Sequence, residues 1–114
     1  MRATFRRVVF ERDHGKCRMC GATEDLAAHH ITDRTKMPNG GYVRDNGITL
    51  CPPCHEKAEQ YHSSNGTKYE KGWSPVDLYT KIGTDYESAY IASRRMVGYD
   101  PDAPPADIGE YEYG

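Results

Sequence analysis

The sequence predicts a small α+β domain stapled by zinc and carrying a histidine-rich site. Three observations lead there. The four cysteines fall in two matched pairs, Cys17-Arg18-Met19-Cys20 and Cys51-Pro52-Pro53-Cys54. Two adjacent histidines, in Ala28-His29-His30-Ile31, lie between the pairs in a stretch that reads as one arm of a β-hairpin. The chain of 114 residues is only 37% hydrophobic, with one Trp and two Phe, a thin core for a domain without a staple.

The length points to one domain over residues 1–98, with a core at 5–62, a helical extension at 73–98 and a tail at 99–114. The net charge of −2 hides an uneven spread. The tail holds five acids (Asp100, Asp102, Asp107, Glu110, Glu112) and no Lys or Arg. Of 17 acids and 15 bases, residues 1–98 therefore keep 12 and 15, a net of +3. A mildly basic body is compatible with a nucleic-acid partner, although a charge run alone is usually a solvated face. The tail is rich in Pro, Asp and Tyr without periodicity and is expected to be disordered. No apolar run approaches the roughly 18 residues of a membrane span, and no apolar leader follows the N-terminal arginines. The expectation is a cytoplasmic protein with no membrane partner, where thiols stay reduced and CxxC pairs bind metal.

Taken in order, residues 4–13 place Phe5, Val8 and Val9 at a spacing that suits a short helix and also permits a strand. Arg2, Arg6, Arg7 and Arg12 are expected outward, for solubility or phosphate contact. Asp13-His14-Gly15-Lys16 is a turn, and Gly21 lets the backbone wrap around a metal. Residues 26–31 read as a strand and 32–41 as a polar loop made basic by Arg34 and Lys36. Residues 42–50 read as a second strand or irregular arm, with Asp45-Asn46-Gly47 as an internal turn. Pro52 and Pro53 stiffen the second knuckle, and a helix is expected over 54–61. On it His55, Glu59 and His62 share one face. After an exposed loop at 63–72, Ser74-Pro75 opens a helix stopped by Gly83. Thr84-Asp85-Tyr86-Glu87 forms a capping box for a last helix running to Gly98. Leu78, Ile82, Tyr86, Tyr90 and Ile91 are expected to pack these helices on the body.

Thiolate is a soft ligand that suits zinc, and two CxxC knuckles direct four sulfurs at one point. Such a site is closed and structural; free thiols, a redox pair or an iron–sulfur cluster are the alternatives. The adjacent histidines can divide two tasks. One can hold a metal, and the other can take a proton from water, since an unperturbed imidazole has a pKa of about 6.5.

Cys17-x-x-Cys20, Ala28-His29-His30-Ile31 and Asp45-Asn46-Gly47-Ile48-Thr49-Leu50-Cys51-Pro52-Pro53-Cys54-His55, in that order, resemble the HNH endonucleases. The likeness is to the small cysteine-bearing members common in phages and prophages, and it covers residues 6–62. It implies a ββα-metal finger, a hairpin followed by a helix with a catalytic ion between them. Carried over by position, His29 is the first metal ligand, His30 the general base, Asn46 the middle Asn that orients base or hairpin, and His55 the final ligand. Glu59, one turn on, is a further ligand, while His62 is expected to lie too far away. A His–His set takes Mg2+, Mn2+, Ni2+ or Zn2+ to differing degrees. The implied activity is metal-dependent cutting or nicking of DNA in phage or prophage DNA processing, with packaging or processing proteins as partners. The alternative is a zinc-stabilised DNA-binding module without activity. Plainer readings stand beside these: a second structural metal for the histidines, an Asn-Gly turn for Asn46, and a solvated helix acid for Glu59.

Overall fold

The computed structural model describes residues 2–95, so the acidic tail and the end of the last expected helix lie outside the described residues. The elements run α1 (Arg2–Arg12), β1 (Ala27–His30), β2 (Gly47–Leu50), α2 (Pro52–Ser63), α3 (Pro75–Ile82) and α4 (Tyr86–Arg94). Three short 3-10 turns, Arg34–Lys36, Pro38–Gly41 and Arg44–Asn46, break up the long connection between the strands.

Phe5, Val8 and Val9 decide the first element. All three are buried, which a helix achieves at i, i+3 and i+4 and a strand cannot, because neighbours on a strand point to opposite sides. α1 lies directly against the hairpin at Gly47. A Cβ there would stand 2.4 Å from Val9 Cγ2 and 2.8 Å from Phe5 Cζ, so the approach depends on a residue without a side chain.

β1 and β2 pair antiparallel, from Ala27↔Leu50 to His30↔Gly47. A two-stranded sheet of this size is marginal alone and depends on what covers it. α1 covers one side. On the other, Ile31, Ile48, Leu50, Ala58, Leu78 and Tyr79 form the main core together with Cys17, Cys51 and Cys54. The core is therefore built around the thiols, consistent with a domain short of apolar residues.

A buried ionic clamp that was not expected from sequence joins α1, the first knuckle and β2. Asp13 is 3% exposed. Its carboxylate accepts from Arg12 Nε and Nη2, both at 2.7 Å, from Arg18 Nη1 at 3.3 Å and from the Thr49 backbone N–H at 2.9 Å. Arg12 also donates to the carbonyls of Arg44 and Gly47. Arg12 thus turns inward, against the outward position expected of it, while Arg2, Arg6 and Arg7 are exposed.

α2 starts at Pro52 rather than at Cys54, because the first turn of a helix has no use for the N–H groups that proline lacks. α3 carries a complete Ser74–Asp77 capping box and ends at Gly83 in the left-handed region, φ 80°. α4 is capped by Asp85, whose side chain accepts from the Ser88 N–H at 2.7 Å, and not by Thr84. Its buried face is Ala89, Ala92 and Ser93, whereas Tyr86, Tyr90 and Ile91 are exposed. Small residues let α4 come close to the inter-strand turns, where Asn39 Nδ2 donates to the Ser93 carbonyl; large side chains on that face would hold it off. Among the described residues no helix is long and apolar enough to cross a membrane.

Candidate active site

The four cysteines form one cluster, their sulfurs all within 4.8 Å of one another. The Cys20 and Cys51 sulfurs stand 3.4 Å apart, far beyond the roughly 2.05 Å of a disulfide. The first knuckle closes through Gly21, φ 83°, whose N–H donates to the Cys17 carbonyl. Burial alone would raise the Cys17 thiol, but backbone N–H groups of Cys51, Cys20 and Met19 bring it down to about 7. Cys54 is pushed the other way, by burial and by three neighbouring sulfurs. Four crowded, mostly buried thiols cannot all ionise without a cation among them. The donor set fits one tetrahedral zinc, closed and structural.

Strand alternation sends the two histidines to opposite sides of β1. His30 faces α1, where its ring stacks on Phe5 at 4.4 Å and meets the edge of Tyr42 at 4.8 Å. His29 faces α2 and is 2% exposed. Its Nδ1 lies 3.2 Å from Glu59 Oε1, yet neither ring nitrogen has an aligned hydrogen bond. A buried imidazole in that state is costly unless something else takes its lone pair. The donors of His29, Glu59 and His62 all fall within 4.8 Å of one another. One nitrogen-rich group with a carboxylate suits a divalent first-row ion.

His62 therefore sits inside the group, although the sequence placed it too far along the helix. Its Nε2 approaches the His30 carbonyl at 3.0 Å. A carbonyl only accepts, so Nε2 carries the proton and Nδ1 keeps a free lone pair. His55 stands beside the group rather than in it, half-exposed, with Nε2 3.4 Å from the same Glu59 oxygen and its ring 5.1 Å from that of His29. Glu59 is thus the hinge of the cluster. The nearby His29 ring holds it down to about 2. Burial lowers the His29 imidazole, and burial followed by the charges of His29 and Arg34 lowers His30 to about 4.

Both histidines nevertheless border one cavity of about 380 Å3, into which Arg2, Arg6 and Arg34 also project. His30 Nε2 itself is buried and without a hydrogen-bond partner. Asn46 is placed differently. It is fully buried, and both ends of its amide are committed: Oδ1 accepts from the Thr32 N–H and the Tyr79 hydroxyl, and Nδ2 donates to the carbonyls of Thr32 and Gly41. It holds the shape of the inter-strand connection and offers nothing to an ion. Tyr42 and Tyr79, which hold His30 and Asn46, were not singled out from sequence, where one tyrosine among nine carries no signal.

A hairpin and helix close on a histidine–carboxylate group beside a four-thiolate cluster that fits zinc, within a small α+β domain. The family model described as HNH endonuclease matches residues 17–60, from the first knuckle to the residue after Glu59. That segment is thus similar to a family whose description points to nuclease chemistry in general terms. No curated protein and no solved structure gives a significant match to the chain.

Proposed function

We propose that the protein is a metal-dependent DNA endonuclease or nickase in which His30 is the general base. The observation that carries this reading is the buried His29 ring, without an aligned hydrogen bond at either nitrogen and 3.2 Å from the Glu59 carboxylate, at the edge of an arginine-lined cavity. A module with no second metal site has no need of such a group. In this reading His29, Glu59 and His62 hold a divalent ion, Mg2+, Mn2+, Ni2+ or Zn2+, with His55 in reach through Glu59. When bound, that ion neutralises phosphate charge and stabilises the departing 3′-oxygen.

The remaining tasks fall to the chain itself. Arg2, Arg6 and Arg34 bind the phosphates on either side of the one attacked, as guanidinium groups are suited to do. His30 takes the proton of the attacking water at its free Nε2, with the ring fixed between Phe5 and Tyr42. Asn46 fixes the connection that follows β1 and thereby the aim of His30. In-line attack of this kind leaves 5′-phosphate and 3′-hydroxyl ends. The resemblance to phage-type members supports a role in phage or prophage DNA processing, in the host cytoplasm and alongside packaging or processing proteins. The test is nicking of supercoiled plasmid with Mg2+, Mn2+ or Ni2+ and an EDTA control. Metal-dependent nicking that His30→Ala abolishes supports the proposal. Tight DNA binding with no cleavage under any ion would leave the non-catalytic binding module instead.

A further inference from the structure

A second and larger cavity, about 660 Å3, opens between the end of α2 and the α3–α4 junction. His62 and Asp33 line both it and the histidine cavity, so the two adjoin across those side chains. Their linings differ sharply. The histidine side sets Arg2, Arg6 and Arg34 against Asp33 and Glu59, so arginines outnumber carboxylates there. The far side presents Tyr61, Tyr86 and Val76, with Asp85 and Glu87 at its rim and Lys36 as its one basic residue. Tyr86 is 48% exposed and Val76 73%, an unusual amount of apolar surface for side chains edging a cavity. Tyr79 closes the floor, its hydroxyl held by Asn46.

We infer that this second cavity receives an unpaired nucleobase of the cleaved strand, next to the phosphate attacked at the histidines. The inference rests on the nuclease reading above. Three properties select the occupant. The carboxylates repel a phosphate, so the sugar–phosphate chain belongs on the arginine side of His62. A base is uncharged, and its exocyclic amino groups are donors that carboxylates and threonine hydroxyls accept. Its faces stack on tyrosine rings, a contact that serves any base. A paired base enters only after it is unstacked and unpaired from its helix, which costs energy, so the preferred substrate has an unpaired nucleotide at the cut: a bulge, a flap or a single strand.

The experiment uses two oligonucleotide duplexes, one fully paired and one carrying a single unpaired 2-aminopurine. Wild type should cut the second at least about tenfold faster, in line with the stacking lost when an aromatic is removed from such a platform. Tyr86→Ala should bring the ratio to within about twofold of parity, and Tyr86→Phe, which keeps the ring, should preserve it. Binding is read separately in the cleavage-deficient His30→Ala protein, where the 2-aminopurine fluorescence should be quenched, and unquenched once Tyr86→Ala is added. Tyr86 is exposed, so zinc content and circular dichroism should show both variants folded. Equal cutting of the two duplexes by wild type, or quenching indifferent to Tyr86, overturns the inference. Absence of any quenching also overturns it and leaves the cavity to a peptide. If no ion supports cleavage yet Tyr86-dependent quenching persists, the nuclease reading fails and the base pocket stands.

Discussion

His29 and His30 are neighbours in sequence with opposite surroundings, and they should fail differently. His30→Ala should keep the divalent ion and the fold while losing about 10²–10⁴-fold in cleavage, the usual worth of a general base. His29→Ala should weaken the ion instead, so that added Mn2+ restores part of the rate. Titrating Mn2+ against cleavage, with calorimetry of metal binding, separates the two; loss of the ion in His30→Ala alone reverses the roles. Asn46→Ala should act on stability. It strips partners from the Thr32 backbone, the Gly41 carbonyl and the Tyr79 hydroxyl at a fully buried position, at a cost of roughly 3 kcal/mol in urea unfolding of the zinc-loaded protein. A change below about 1 kcal/mol would show that water replaces those bonds. At this scale the cysteines and the His29–His30 pair were legible, because their chemistry is rare and their spacing specific. Asp13 was not, because an acid in a turn looks solvated until Arg12, Arg18 and the Thr49 N–H converge on it from three segments.

Among the elements, the contact of α1 with β2 is the one most easily broken by adding atoms. Gly47→Ala should drive Val9 and Phe5 away from the hairpin and cost about 2 kcal/mol, the usual penalty of overpacking. Because Phe5 also stacks on His30, the same change should slow cleavage more than it changes metal affinity. Unaltered melting and unaltered rate would mean that α1 rides up without effect. The hairpin, α2 and the capped start of α3 were readable from alternation, from the histidine face and from Ser74-Pro75. The face of α4 was not. Its large residues suggested a buried stripe, but proximity to the inter-strand turns selects Ala89, Ala92 and Ser93, and close packing of backbone leaves no trace in hydrophobic periodicity.

For the whole molecule, zinc should decide whether the fold exists. Structural zinc contributes roughly 10 kcal/mol or more of binding free energy, as much as the full stability of a small domain. One tightly held zinc per chain is expected by elemental analysis, and Cys51→Ser should be largely unfolded by circular dichroism. A metal-free preparation that keeps an unchanged cooperative melt would contradict this. The composition already pointed to a staple, since residues this polar cannot close a core alone. It could not tell that three of the four sulfurs lie inside the main core cluster, because that follows from how the knuckles fold.

The register of the hairpin gives the staple a role in time. Cys20 and Cys51 are 31 residues apart, and Leu50, paired with Ala27, immediately precedes the second knuckle. In the unfolded chain the strands must meet across residues 31–46, at a cost in loop entropy that a short two-stranded ladder repays poorly by itself. Once the thiolates share an ion, Leu50 is delivered to Ala27 and pairing can run outward, rung by rung, to His30↔Gly47. Refolding should therefore start only when zinc binds, and the histidine end of the ladder should close last. If the proposed nuclease reading holds, a partly folded molecule has no site with which to cut, because the histidine end forms after its anchor.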